Sequence, residues 1–251
     1  MSVAEHFSLL LCCKRISKEV EMDSSTLEAP LDLKGKSKAK LTDIAYQQLE
    51  EAIVTLRIPP GTLISEQSLS AMTGIGRTPL REAVQRLARE HLILVMPQRG
   101  LLIPSIDIGK QLRLIETRRE IERLVCRSAA KRASEQQRKA FARLAEEFNA
   151  VAINNDDVTF MRSDREFNEL CLVAAKNEFA ESALRSLNGL SRRFWYLHYK
   201  QAADLPEMAR LHASVAAAIA EGDPAEAARC LDRLINNIET FTKATVLLDQ
   251  L

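Results

Sequence analysis

Arg77, Arg81 and Gln85 stand four residues apart, a spacing that puts three long hydrogen-bonding side chains on one face of a helix. A guanidinium is a planar fork of donors. It binds a phosphate, or O6 and N7 of a guanine, through two hydrogen bonds. A second group of chemistry-bearing residues lies further along the chain. Arg118 shares a helical face with Leu114, Ile121 and Val125. Asp164 and Asn168 share one with Phe160, Phe167 and Cys171, and His212 shares one with Met208, Val215 and Ile219. Polar groups on apolar stripes point inward, and burying a charge without a partner is expensive. Arg118, Asp164, Asn168 and His212 therefore predict either a shared polar cavity or a buried ion pair, such as Arg118 with Asp164, that closes the core. No nucleophile motif, phosphate-cradling glycine loop or second general acid at a workable spacing accompanies Asp164 and His212, so an enzyme is not expected.

The elements that must position the first group are legible in Ser65 to Leu87. Ser65 can cap a short helix with its hydroxyl. Leu69 and Met72 share a face of that helix, and Gly74 supplies the left-handed residue that ends it. Thr78 is expected to cap a second helix, with Pro79 at its first position. Leu80, Ala83, Val84 and Leu87 follow the i, i+3, i+4, i+7 rule and form the buried face. Two helices across a glycine-bearing turn present the second to the major groove of DNA. Taken singly, arginines on a helix are more often a solvated face, but the chain beyond Leu87 weighs against that reading. The β-prone run from His91 to Met96, the turn Pro97-Gln98-Arg99-Gly100 and the run Leu101–Pro104 predict a hairpin. A hairpin directly behind such a helix is a wing, with Arg99 at its tip. Arg77, Arg81, Arg86, Arg89 and Arg99 outnumber Glu82 and Glu90 in this stretch, whereas the whole chain carries only +1. Basic charge is thus concentrated where DNA would lie.

From Asp107 onward the pattern is helical. Helices are expected at 108–133, 135–154, 157–175, 178–203, 206–222 and 225–248, with breaks at Ser134, Asn154-Asn155-Asp156, Lys176-Asn177, Asp204-Leu205-Pro206 and Gly222-Asp223-Pro224. Six such helices make a bundle. Trp195 and His198 lie on the fourth, where they either line the cavity or belong to the core. The fold class is mainly α: an N-terminal winged helix-turn-helix over 41–106 and an all-helical domain over 107–251. Residues 1–40 fit neither, and the run Leu33 to Lys40 reads as a flexible basic arm that touches DNA phosphates or has no role. Five scattered cysteines without a C-x-x-C pattern fit reduced thiols in a cytoplasmic protein. No apolar stretch approaches the roughly 20 residues needed to cross a membrane. The apolar run Phe7–Cys13 is followed, not preceded, by basic residues, the wrong order for a signal peptide.

Ala45-Tyr46, Leu49, Ile53, Ile58-Pro59-Pro60-Gly61, Ser65-Glu66, Gly74 to Ala83 and Pro97-Gln98-Arg99-Gly100 resemble the winged-helix domain of the GntR superfamily of bacterial transcription regulators, over residues 41 to 105. The resemblance implies DNA contacts from Arg77, Thr78, Arg81, Arg99 and Gly100, with Gln67 a weaker one. Gly76 departs from the family, which more often has Ser or Thr there. Arg118-Arg119-Glu120-Ile121-Glu122, Asp164-Arg165-Glu166-Phe167-Asn168, Asn177, and His212 leading to Ala218-Ile219 and Gly222-Asp223 resemble the FadR-type ligand-binding (FCD) domain, from 107 to about 245. Many members hold a divalent metal with one Asp and three His. Asp164 and His212 match two of these ligands, while Asn168 and Leu234 stand where the others are expected. A bound Zn, Mn or Ni would therefore have an incomplete ligand set, since such sites take three or four protein ligands.

The resemblance implies a homodimeric regulator in the cytoplasm whose two winged helices read an inverted-repeat operator. It also implies an effector site and repression relieved by the effector. Arg118 can pair with a carboxylate through two hydrogen bonds, so the effector expected at Arg118, Asp164, Asn168 and His212 is a small organic acid recognised without a metal or with a weakly held one. An alternative is an architectural DNA-binding protein whose helical domain only dimerises.

Overall fold

The computed structural model describes residues 38–202 and 204–248. The described residues form one compact unit that contains two separate hydrophobic cores. The basic arm expected at 1–40 lies outside the described residues, except that a helix already runs from Lys38.

The first core is enclosed by α1 (Lys38–Val54), α2 (Glu66–Thr73) and α3 (Arg77–Arg89), with a small sheet of β1 (Leu63–Ile64), β2 (Leu94–Met96) and β3 (Gly100–Leu102). The sheet is antiparallel in the order β1-β3-β2, with Leu63 and Leu94 both opposite Leu102 and Met96 opposite Gly100. The hairpin of β2 and β3 is the expected wing, although pairing starts only at Leu94. Leu92 and Ile93 are instead buried in the core. The two-residue β1 has no pattern that sequence periodicity could detect.

Ser65 caps α2 as expected, accepting from the Ser68 amide at 3.0 Å, and Gly74 ends the helix at φ 67°. Leu69 is buried but Met72 is half exposed, because an eight-residue helix has only a narrow inward stripe. The expected cap of α3 is corrected. The cap position is Gly76, in extended conformation and without a side-chain hydrogen bond, and the helix begins at Arg77. Thr78 and Pro79 therefore sit inside the first turn. Proline is tolerated there because the first amides of a helix have no intrahelical partner. The buried face is the expected Leu80, Ala83, Val84 and Leu87.

The second core lies among α4 (Ile108–Arg132), α5 (Glu135–Asn154), α6 (Asp157–Ala175), α7 (Glu178–Ala202), α8 (Leu205–Glu221) and α9 (Pro224–Leu248). All six expected helices are present with ends shifted by at most a residue, save that the expected end at 203 is not among the described residues. Local chemistry sets these ends. Asp107, Asp156 and Asp204 cap α4, α6 and α8, and Ser134 with Gln137 forms a reciprocal capping box on α5. Helix α8 runs through the middle, presenting Met208, Ala209, His212, Ala213, Val215, Ala216 and Ile219 inward. Its alanines let α5 pack closely against it. Phe148 of α5 is fully buried, with its ring 5.1 Å from that of His212, 5.9 Å from Phe160 and 6.0 Å from Phe167. Phe148→Ala is expected to cost about 3–5 kcal/mol of unfolding free energy. A denaturant midpoint unchanged from the wild type would refute this.

Candidate functional site

The framework positions two sites. On the first, Arg77, Thr78 and Arg81 project from the opening turns of α3 and are exposed, as are Gln67 on α2 and Arg99 on the wing. Nε of Arg81 donates to Glu66 at 2.6 Å, which ties the guanidinium across the turn while the side chain stays largely exposed. Not every arginine of this stretch belongs to the same face. Arg86 lies over the ring of Tyr46 at 3.6 Å and donates to Glu90 at 3.2 Å, so it joins α3 to α1. Burial and the hydrogen bond to Glu90 hold the Tyr46 phenol far above its ordinary pKa, so it stays a donor.

Gly100 has a structural reason for being glycine. Its φ is 102°, and a Cβ there would meet the carbonyl oxygen of Ile64 at 3.0 Å. That close approach of β1 shapes the wing that carries Arg99.

The second site is a cavity of about 790 Å³ lined mostly by the helical domain, its wall completed by α1 through Tyr46, Glu50 and Glu51. The structure brings Arg118, Asp164, Asn168 and His212 together in its wall, from α4, α6 and α8. The ion pair between Arg118 and Asp164 does not form. Nε of Arg118 donates to Glu122 at 2.6 Å, one turn along its own helix, where i,i+4 geometry makes the carboxylate the nearer partner. Glu122 thereby holds Nε and Nη2 of the guanidinium and leaves Nη1 without a partner among the described residues.

Asp164 instead accepts from the Asn168 amide at 3.0 Å and faces Nε2 of His212 at 3.2 Å. Nδ1 of His212 lies 2.8 Å from the Met208 carbonyl. A carbonyl only accepts, so Nδ1 carries a proton. The three Phe rings around His212 fix its plane.

These residues do not fit a tight transition-metal site. One carboxylate and one imidazole fall short of the usual ligand number, and Leu234 places an apolar side chain in the same wall. No cluster of three or more His, Cys, Asp or Glu suited to a metal occurs among the described residues. Cys126 and Cys171 also line the cavity. Burial and the neighbouring Cys126 push the Cys171 thiol up, so it is a poor nucleophile.

Of the two aromatic residues left between wall and core, Trp195 lines the cavity. It is stacked on Tyr199 with ring centroids 6.0 Å apart. His198 is buried against Phe194 with centroids 4.6 Å apart and is not part of the wall.

Sequence reasoning does not single out the junction between the two cores. Arg192 of α7 binds Glu50 at 2.8 Å and Glu51 at 3.3 Å on α1. Its neighbour Arg193, 2% exposed, donates to the carbonyl of Pro104 in the connecting segment. With no carboxylate to offset it, burial pulls the Arg193 guanidinium down to about 10. The adjacent basic pair is the available signal, but a basic pair on a helix usually marks a solvated face.

Residues 41–103 match the family described as bacterial regulatory proteins, gntR family, and residues 113–237 match the FCD domain. The chain is 26% identical over 194 residues to the HTH-type transcriptional repressor RspR of Escherichia coli K12, covering 77% of this chain and 85% of that protein. It is 25% identical to the HTH-type transcriptional repressor NanR of Enterobacter sp. strain 638, covering 90% and 94%. Among solved structures, E. coli McbR/YncC superposes with a TM-score of 0.68 at 19% identity, covering 82% of this chain and 98% of that one. No described helix is long and apolar enough to cross a membrane. With its winged helix-turn-helix followed by an FCD helical domain, the chain belongs to the GntR family of DNA-binding transcription regulators.

Proposed function

We propose that this regulator is a homodimeric cytoplasmic repressor which a small carboxylate releases from an inverted-repeat operator. The observation that carries this reading is the cavity of about 790 Å³ in whose wall Arg118, Asp164, Asn168 and His212 meet. A dimerisation bundle has no need of such a cavity, and its size falls in the range of small-molecule sites. Regulators of this family bind operator DNA, and FCD domains bind small-molecule effectors. Arg118, oriented by Glu122, offers Nη1 to the carboxylate. Asp164, Asn168 and His212 contact the remainder of the acid. Arg77, Thr78 and Arg81 meet the major groove, with Gln67 beside them, and Arg99 and Gly100 bring the wing to the backbone or minor groove. In a two-fold dimer each winged helix takes one half-site. Effector binding shifts the population away from the DNA-competent arrangement.

The test is a thermal-melting screen of the purified protein against small carboxylates, each with and without Zn²⁺, Mn²⁺ or Ni²⁺. An acid at about 100 times its dissociation constant should stabilise the fold by about 2.7 kcal/mol. Arg118→Ala should remove that shift. A shift that appears only with metal would overturn the metal-free form of the reading. The absence of any shift would favour the architectural alternative.

A further inference from the structure

Three buried side-chain polar atoms lack a hydrogen-bond partner among the described residues: Ser191 Oγ, Arg193 Nε and Trp195 Nε1. Arg193 already spends part of its guanidinium on Pro104. Ser191 and Trp195 are different. They stand one turn apart on α7, hence on one face, and both line the effector cavity. Buried donors are almost always satisfied, so an orphan calls for an explanation.

The Trp195 donor has no local way out. The Trp195 ring is clamped between Tyr199, at an interplanar angle of 18°, and Phe160 and Phe241, whose centroids lie 6.0 and 5.2 Å away. Its Nε1 cannot swing elsewhere. Ser186 on the same helix closes its hydroxyl onto the Ala183 carbonyl at 2.7 Å, whereas Ser191 makes no such bond. A phenylalanine and an alanine would fill this wall with no unsatisfied group.

We propose that Ser191 and Trp195 form a second polar subsite of the cavity. It accepts an oxygen of the effector other than the carboxylate held by Arg118. The effector class is then an acid with a further oxygen function: a hydroxy acid, an oxo acid or a dicarboxylate. A plain aliphatic acid would leave both donors unpaired in the cavity wall, and sites built to hydrogen-bond a ligand discriminate strongly against analogues that lack the group. The subsite rests on the effector-cavity reading of the proposed function.

Trp195 is the only tryptophan of the chain, so its fluorescence reports the subsite directly. The experiment titrates full-length protein with matched acids, propionate against lactate and pyruvate, and butyrate against succinate and malate. The expected result is a preference of about tenfold or more for the oxygen-bearing member of each set, with a change in Trp195 emission. Ser191→Ala should reduce that preference, and Trp195→Phe, followed by thermal melting, should do the same. Arg118→Ala should weaken both members alike. A preference that survives both α7 variants overturns the subsite while leaving the carboxylate reading intact. Binding that is absent from the wild type, or indifferent to Arg118→Ala, overturns the carboxylate reading and the subsite with it. If Trp195→Phe melts early, Ser191→Ala carries the test, since it removes a single oxygen.

Discussion

Replacing Arg77 and Arg81 together by alanine is expected to weaken binding to a duplex site by on the order of 100-fold or more, at about 1–3 kcal/mol per arginine that reaches a base or phosphate. The slope of log affinity against log salt should fall by about one for each phosphate that is no longer neutralised. The fold should not suffer. Arg77 is the first residue of α3, whose first turn contains no acidic side chain. A cation at that end opposes the helix dipole at a cost of about 0.3–1 kcal/mol, so Arg77 is unfavourable for the helix that carries it. Arg81 is exposed, and its pair with Glu66 is of the surface kind that contributes little. An unchanged or slightly raised melting temperature combined with weakened binding would therefore separate recognition from stability. The measurement is fluorescence anisotropy on duplexes that the wild type selects from a random pool, at several salt concentrations. Affinity within about threefold of the wild type would remove α3 from the interface.

The recognition half is readable because each of its elements is encoded locally. A cap, a left-handed glycine and a four-residue apolar stripe suffice to place α2 and α3, and a turn between two apolar runs places the wing. The same local logic misplaces the cap at Thr78. A capping hydroxyl ahead of a proline is a strong signal, but the extended backbone at Gly76 starts the helix earlier, at Arg77. The six-helix bundle and the inward Arg118, Asp164, Asn168 and His212 are equally legible, since periodicity reports which side of a helix is buried.

Periodicity does not report which helices are neighbours, so it leaves open which inward polar groups pair. Chemical complementarity pairs Arg118 with Asp164, whereas in the fold Glu122 one turn away captures Arg118 and His212 takes Asp164. Charge counting places Arg86 with the DNA-facing arginines, whereas Tyr46 and Glu90 hold it against α1. The orphan donors of Ser191 and Trp195 and the grip of Arg192 on α1 depend wholly on tertiary packing. No local pattern encodes them.

Helix α7 serves both cores at once, and Gly189 is where that arrangement is most vulnerable. Ser191 and Trp195 face the cavity, while Gly189 and Arg193 lie on a different side of the helix. A Cβ at Gly189 would come within 2.6 Å of Cδ1 of Leu92, which is fully buried in the winged-helix core. Gly189→Val should therefore wedge α7 off that core. Helix propensity alone predicts the opposite sign, though weakly, because valine is only a somewhat better helix former than glycine. Destabilisation would thus report the contact and not the helix. Overpacking of this kind costs about 1–3 kcal/mol if α7 stays in place. Separation relieves that strain at the expense of the Arg192–Glu50 and Arg192–Glu51 pairs. The expected result in calorimetry is one unfolding transition in the wild type and two in Gly189→Val. An acid that binds the cavity should still raise the transition of the helical domain but should no longer alter affinity for DNA. A single transition with an unchanged effector response would place the coupling between the two cores elsewhere than in α7.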